Sequence, residues 1–306
     1  MAVLEVRGLV KRYGDVLAVD GVDLDVEAGQ VAGLLGPNGS GKTTILSCCL
    51  GLQRPTSGEA RVLGTPARAL HRTRGKVGVV FDRPAILAHL SVAANMTYAR
   101  RLRGHAGGRS DRQALELAGI ERLAKRRAGR LSLGQAKRLS IAMALGGSPE
   151  FLVLDEPLSG LDPLGVREVL RLVARLSAEG ATILLSSHRL LDVEPVLSHA
   201  VILWNGGVVA AGTLEELCGA GEQHAFEVAS LERARACLAR RGVAIVSASA
   251  ENGAGTLVVA CGAAGPAAVN RALVEAGVDV LTLRPARRSL AEVFEQLVDR
   301  PLEVVA

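Results

Sequence analysis

The segment Gly36-Pro37-Asn38-Gly39-Ser40-Gly41-Lys42-Thr43-Thr44 constrains this chain more than any other. It follows an apolar run of buried-strand character at 31–35 and opens a helix-forming stretch over 42–52. Glycines at 36, 39 and 41 let the backbone curl so that successive amides face one point, with no side chain in the way. A helix starting near Lys42 adds about half a positive charge at its N-terminus, where an anion is best stabilised. The spacing is that of a phosphate loop. Lys42 is expected to reach the β- and γ-phosphates of a nucleoside triphosphate, and the Thr43 hydroxyl to ligate Mg²⁺.

Short apolar runs alternate with helical patterns, which favours an α/β fold. Residues 3–7 and 22–26 read as an early strand pair. A strand near 60–63 follows a turn at 55–58, and another covers 77–81. From 84 to 128 the pattern turns helical, broken by Gly104-His105-Ala106-Gly107-Gly108. Strands return at 151–154, 182–186, 201–204 and 208–211, the last two as a hairpin across Asn205-Gly206-Gly207. Beyond Gly212-Thr213 the composition changes, and a β-α-β-β-α-β order runs from 225 to 284. That order suggests a small ferredoxin-like α+β domain, closed by an amphipathic helix at 288–297. The expected organisation is a nucleotide-binding domain at 1–215, with a helical subdomain at about 84–145, and an accessory domain at 223–306.

A second chemical signal is Phe151-Leu152-Val153-Leu154-Asp155-Glu156-Pro157, an apolar strand ending in two acids. Asp155, at the strand end beside the loop, is placed to hold the metal through water. Glu156 is the candidate general base for an attacking water, a role typically worth about 10² to 10⁴ in rate. Between loop and acids lies Leu131-Ser132-Leu133-Gly134-Gln135. A phosphate loop alone indicates only a nucleoside triphosphate, but these three motifs in this order resemble the ABC ATPases over about residues 1–215.

The resemblance implies a P-loop NTPase core, a RecA-like sheet with antiparallel β and helical subdomains, using ATP and Mg²⁺. It implies that Tyr13, one residue before Gly14, stacks on adenine. His188, after Leu184-Leu185-Ser186-Ser187, matches the family's switch histidine, which contacts the γ-phosphate and helps place the water. Asp162, in Ser159-Gly160-Leu161-Asp162, resembles the D-loop along the interface between two ATPase subunits. Ser132 and Gly134, with Gln135 closing the signature, correspond to the residues that bind the γ-phosphate of ATP held by a partner chain. One loop and one signature per chain then imply a dimer sandwiching two ATP molecules, either a homodimer or a heterodimer with another ABC ATPase.

Two positions depart from the commonest pattern. Asp82, after Val77-Gly78-Val79-Val80-Phe81, stands at the Q-loop position where glutamine is usual, and can still bind metal-bound water. Leu133 replaces the first signature glycine; a positive φ there would cost leucine roughly 1–2 kcal/mol, so an ordinary φ is expected. Both departures resemble bacitracin- and lantibiotic-type exporter ATPases. These belong with the ABC-2 group, which includes anthracycline-type drug exporters and often carries a small C-terminal domain. Ser289-Leu290-Ala291-Glu292-Val293-Phe294 resembles that group's closing helix. The implied role is the ATP-hydrolysing subunit of an exporter, peripheral on the cytoplasmic face of the membrane. It would energise a separate polytopic ABC-2-type permease for drug, antibiotic or peptide efflux. The helical region after Asp82, with Ala85-Ile86-Leu87 and Leu90-Ser91-Val92, is the expected permease contact. The rival reading is a soluble non-transport ABC ATPase or an ATP-binding regulatory protein. Tandem cassettes or a long coiled-coil insertion would mark the former, and neither is evident in the sequence.

Composition adds limits. Hydrophobic residues make up 49% of the chain, ample for a large core, yet no run reaches the roughly 18–20 apolar residues of a membrane span. The first residues, Met1-Ala2-Val3-Leu4-Glu5, lack a secretory pattern, so a cytoplasmic location is expected. The formal charge of +5 is carried almost wholly by arginine, with lysine only at 11, 42, 76, 125 and 137. A GC-rich coding bias accounts for this, and no nucleic-acid partner is expected. Five cysteines form no C-x-x-C pair and read as reduced, small apolar residues.

Overall fold

The computed structural model describes residues 2–103, 108–219, 223–251 and 254–298. The expected break at Gly104, His105, Ala106 and Gly107 lies outside the described residues. The chain divides into two compact units, Met1–Leu214 joined by the segment from Phe294 on, and Glu215–Val293.

The first unit opens with a long antiparallel hairpin, β1 (Ala2–Tyr13) and β2 (Val16–Glu27). Both strands outrun the short apolar stretches read from the sequence. Burial fades toward the tip, where Lys11, Arg12 and Tyr13 are largely outside the core, but ladder hydrogen bonds need no apolar side chains to continue. β3 (Val31–Leu35) is buried throughout and feeds the phosphate loop. Behind the loop, α1 (Lys42–Cys49) stops short of Leu52. The chain turns at Gly51, whose φ is +67° and whose missing Cβ would sit 2.2 Å from the Ala67 carbonyl oxygen. β4 (Ser57–Val62) and the two-residue β5 (Thr65–Pro66) complete an antiparallel sheet ordered β2-β1-β4-β5.

β6 (Val77–Val80) leads to the helices α2 (Val92–Arg103), α3 (Asp111–Leu117) and α4 (Leu133–Leu145). Then come β7 (Phe151–Leu154), α5 (Pro163–Ala178), β8 (Thr182–Ser187) and the short α6 (Leu190–Val193). The hairpin β9 (His199–Trp204) and β10 (Gly207–Thr213) turns through Asn205 and Gly206 at φ +47° and +86°, as a tight two-residue turn requires. The second sheet is ordered β10-β9-β3-β8-β7-β6, parallel except at its β10 edge. In register, Leu35 faces Ser187 and Leu154 faces Leu185. The loop, the acids and His188 therefore leave the sheet at one edge. A continuous core containing Leu4, Leu9, Val19, Leu34, Ile45, Phe151 and Leu203 fills the space between the two sheets and α1.

The second unit follows α7 (Leu214–Cys218). It contains β11 (Gln223–Val228), α8 (Leu231–Arg240), β12 (Ala244–Glu251), β13 (Ala254–Ala260), α9 (Gly265–Glu275) and β14 (Val280–Pro285). Its antiparallel sheet, ordered β12-β13-β11-β14, is the ferredoxin-like arrangement expected from the element order. Phe226, Leu238, Leu257, Val259 and Leu273 form its own core. The last helix is α10 (Leu290–Val298). Phe294 groups with the first unit, where its ring meets Trp204 edge-on at 5.7 Å between centroids; the sequence had left this residue to the accessory domain. All five cysteines are buried and none is in a disulfide.

One buried side chain ties the segment after β6 to α2. Asn95 Oδ1 accepts from the Leu87 amide at 2.8 Å, and Nδ2 donates to the Leu87 and Ser91 carbonyls at 3.1 and 3.0 Å. Asn95 is fully buried, so these groups have no water to fall back on. Asn95→Leu should lower stability by about 1–3 kcal/mol, because it leaves the Leu87 amide unpaired, while the Leu87 carbonyl keeps the Leu90 amide. A urea midpoint equal to that of the wild type would show that the clamp carries no such load.

Candidate active site

The phosphate loop is shaped by close backbone approaches. A Cβ on Gly36 would lie 2.4 Å from the Leu203 carbonyl oxygen, and one on Gly41 2.6 Å from that of Ala18. Gly41 caps α1 at φ +98° and no side chain caps the helix with a hydrogen bond. Its first-turn amides are thus left for an external acceptor, which suits a phosphate. Ser40 Oγ is buried and has no hydrogen-bond partner among the described residues, a second polar group that a ligand would satisfy. Pro37, Asn38 and Gly39 form the turn of the loop, and Thr44 lies in the first turn of α1 beside Lys42 and Thr43.

Lys42 is buried. Its Nζ donates to the carbonyls of Gly36 and Pro37 at 2.8 and 2.9 Å, and lies 3.5 Å from Glu156 Oε1. The other oxygen of that carboxylate, Oε2, accepts from His188 Nδ1 at 2.9 Å. A carboxylate only accepts, so the shared proton belongs to the ring. Asp155 Oδ1 accepts from Ser186 Oγ at 2.7 Å and from Thr43 Oγ1 at 3.4 Å. Burial pushes the Asp155 carboxyl up; the Ser186 hydroxyl opposes this, the Glu156 charge reinforces it, and the Thr43 hydroxyl opposes it less strongly. The structure therefore brings Lys42, Thr43, Asp155, Glu156 and His188 to one point.

The donor chemistry here fits Mg²⁺. The Thr43 hydroxyl and the Asp155 carboxylate are hard oxygens, and a cation would offset the burial, and secondarily the Glu156 charge, that raise Asp155. No group of three or more His, Cys, Asp or Glu residues suited to a metal is found among the described residues. This agrees with a metal held mostly by water and substrate phosphates.

Glu156 has a φ of +46°, unusual for a residue with a side chain. Its amide donates to Ser186 Oγ at 2.8 Å, and its carbonyl accepts from Ser159 N at 3.1 Å and from Lys137 Nζ at 2.7 Å. Ser186 and Lys137 were missed as site residues. Ser186 had a weak signal in its sequence, a hydroxyl directly after the apolar run Ile183-Leu184-Leu185 of β8. Lys137 had one in its rarity, a lysine in a chain that uses arginine almost everywhere. Asp82, the expected metal-water ligand, lies 3.3 Å from the same Lys137 ammonium through Oδ1.

Tyr13 is about half exposed at the end of β1; its hydroxyl donates to Gln53 Oε1 and the Lys11 ammonium sits 4.9 Å from its ring centroid. One face of that ring is thus shared with a cation. The signature residues form the start of α4. Ser132 Oγ accepts from the Gln135 amide at 3.3 Å, and Gln135 Oε1 accepts from the Ser132 amide at 3.1 Å, a reciprocal capping box. Gln135 thus has a local task. Leu133 is the first helical residue with an ordinary φ, as expected, and covers Gly160. Asp162 spends one carboxylate oxygen capping α5, accepting from Gly165 N at 2.7 Å. A Cβ on Gly134 would meet only Leu161 Cδ2 at 3.7 Å and Gly165 Cα at 3.8 Å, so packing within the chain does not require glycine there. A cavity of 410 Å³ lined by Val3, Leu63, Arg74 and Glu150 contains no residue of the phosphate loop.

Comparison with known proteins adds the following. The ABC transporter family profile matches residues 19–159. The bacitracin transport ATP-binding protein of Enterococcus faecalis is 36% identical over 217 residues, 70% of each chain. That of Bacillus licheniformis is 30% identical over 299 residues, 97% of each chain. A methionine import ATP-binding protein of Streptomyces griseus is 37% identical over 229 residues, 69% of this chain and 64% of that one. Among solved structures, a dimeric ATP-binding cassette in a post-hydrolysis state with ADP and Pi matches at a TM-score of 0.61 and 25% identity, over 69% of this chain and 98% of that one.

Because glycine is not needed at 134 for packing, Gly134→Ala should leave folding neutral or more stable by up to about 1 kcal/mol. If that position meets a nucleotide from outside the chain, the same variant should lose about tenfold in ATP turnover. An enzyme with wild-type turnover and unchanged melting would remove Gly134 from the site.

Proposed function

This chain belongs to the ABC transporter ATP-binding family and hydrolyses ATP as a transporter subunit, and from that premise we propose that it energises export through a separate ABC-2-type permease. The observation that carries the exporter reading is the extent of the likeness. The Bacillus licheniformis bacitracin-transport relative aligns over 97% of both chains, C-terminal unit included, whereas the Enterococcus faecalis one covers 70% of this chain and the methionine-import relative 69%. The cargo class that follows is a drug, antibiotic or peptide. No described helix is long and apolar enough to cross a membrane, which suits a peripheral subunit on the cytoplasmic face.

Family cassettes work as dimers on a membrane permease. In this chain, a Gly134 that internal packing does not require supports a sandwich in which Ser132 and Gly134 of one protomer meet the γ-phosphate of ATP bound at Lys42 of the other. Glu156 accepts the proton of the attacking water, and His188, hydrogen-bonded to it, fixes the carboxylate and contacts the γ-phosphate. Lys42 neutralises the β- and γ-phosphates; Tyr13 stacks on the base; Asp162 lines the subunit seam. Mg²⁺, held by Thr43 and through water by Asp155 and Asp82, supplies further neutralisation of phosphate charge when bound.

Glu156→Gln should keep ATP binding, trap the dimer and lower phosphate release by about 10² to 10⁴. Undiminished release would remove Glu156 from its role. Lys42→Ala should weaken nucleotide affinity itself; unchanged affinity and turnover would contradict the phosphate assignment. The exporter reading is tested by expressing the tagged chain in its native host and identifying the membrane proteins that purify with it. Co-purification, together with ATP-dependent protection of cells against bacitracin or a lantibiotic, is the expected result. A chain that never associates with a membrane protein would overturn the reading.

A further inference from the structure

The ammonium of Lys137 is the one part of the catalytic neighbourhood that the phosphate chemistry leaves without a task. It lies on α4, five residues after the Ser132 cap, and is almost wholly buried. Its two oxygen contacts come from different segments: Asp82 Oδ1, just beyond β6, at 3.3 Å and the Glu156 carbonyl at 2.7 Å. Burying an ammonium is costly unless it is paired and hydrogen-bonded, and methionine or leucine would fill the same volume without that cost. Burial does pull the Lys137 ammonium down, opposed by the charges of Asp82, Glu156 and Asp155. Both contacts are therefore needed to hold the charge there.

What they hold is a strained backbone. A left-handed φ costs a residue with a side chain roughly 1–2 kcal/mol and persists only where the surroundings enforce it. At Glu156 the enforcement is visible on both sides of the residue. Ser186 Oγ takes its amide, and the Ser159 amide and the Lys137 ammonium share its carbonyl. The Ser159 bond closes a local turn, Ser186 ties the amide to β8, and Lys137 ties the carbonyl to α4. The carboxylate that this backbone aims reaches Lys42 Nζ at 3.5 Å and His188 Nδ1 at 2.9 Å.

We propose that Lys137 is a positioning residue for ATP hydrolysis, a buried strut that spans the Asp82 carboxylate and the Glu156 carbonyl and so fixes the direction of the catalytic carboxylate. The proposal rests on Glu156 being the general base. Its consequence is a catalytic link between the Q-loop position and the base through one side chain. A shift of Asp82 reaches Glu156 without passing through nucleotide.

The test measures MgATP hydrolysis by the purified full-length chain, fluorescent-nucleotide affinity and thermal melting. The variants are Lys137→Met, Lys137→Arg, Asp82→Asn, the double variant Lys137→Met/Asp82→Asn, and Glu156→Gln. Lys137→Met should lower kcat by about tenfold or more, with KM and nucleotide affinity within about twofold, because a misaimed base slows chemistry without weakening phosphate binding. Lys137→Arg should recover most of that loss. In the double variant the two effects should be far less than multiplicative, since both break one strut. Lys76→Met, which removes the exposed 2.8 Å pair with Glu150, is the control and should behave as wild type. Should Lys137→Met not fold, Lys137→Gln, uncharged and one atom shorter, should show the same loss in kcat with KM kept. Wild-type kcat in Lys137→Met or Lys137→Gln, a loss confined to KM, or fully multiplicative effects would overturn the proposal while leaving the function above intact. Wild-type turnover by Glu156→Gln would overturn both.

Discussion

The arrangement depends on the register of three parallel strands. β3, β8 and β7 run side by side, with Leu35 level with Ser187 and Leu154 level with Leu185. Since all three point the same way, the residues that follow them emerge at a common edge: the phosphate loop after β3, His188 after β8, Asp155 and Glu156 after β7. Open parallel sheets bind ligands at the carboxyl ends of their strands for this reason. A slip of one residue in β7 would turn Asp155 away from Ser186 and Thr43, because side chains alternate faces along a strand. All three strands are buried along their whole length, so a slip would bury mismatched side chains on both faces.

Much of this was legible in the residues. The loop, the acids, the histidine and the element order of the second unit follow from spacing and periodicity, and the ferredoxin-like strand order agrees. What was not legible has a common cause. The lengths of β1 and β2 come from ladder bonds, which leave no trace in side-chain type once the apolar alternation fades. The early end of α1 comes from Gly51 meeting Ala67, a contact between segments. Lys137 meets Asp82 and Glu156, which lie 55 and 19 positions away along the chain, a pairing that only the fold creates. The capping roles of Gln135 and Asp162 were available from local pattern but were masked by their membership of family motifs.

The strained turn at Glu156 connects these levels. Its amide is held by Ser186 from β8 and its carbonyl by Lys137 from α4, so the sheet and the helical segment both act on a single peptide unit. The Glu156 carboxylate is therefore aimed by side chains borne on two elements other than its own. The same helix α4 begins at the signature serine, so one rigid rod carries both an outward-facing end and an inward-facing strut.

The capping box at Ser132 has a consequence for which residues that position tolerates. The serine oxygen already receives the Gln135 amide, yet a hydroxyl keeps one proton of its own to give. Aspartate would close the helix at least as well but has no proton to offer and would set a negative charge against a phosphate. Helix chemistry alone therefore leaves a wide choice, and the demand for a spare donor narrows it to an alcohol or an amide. A side chain can thus satisfy the fold completely while leaving the protein unable to meet its nucleotide.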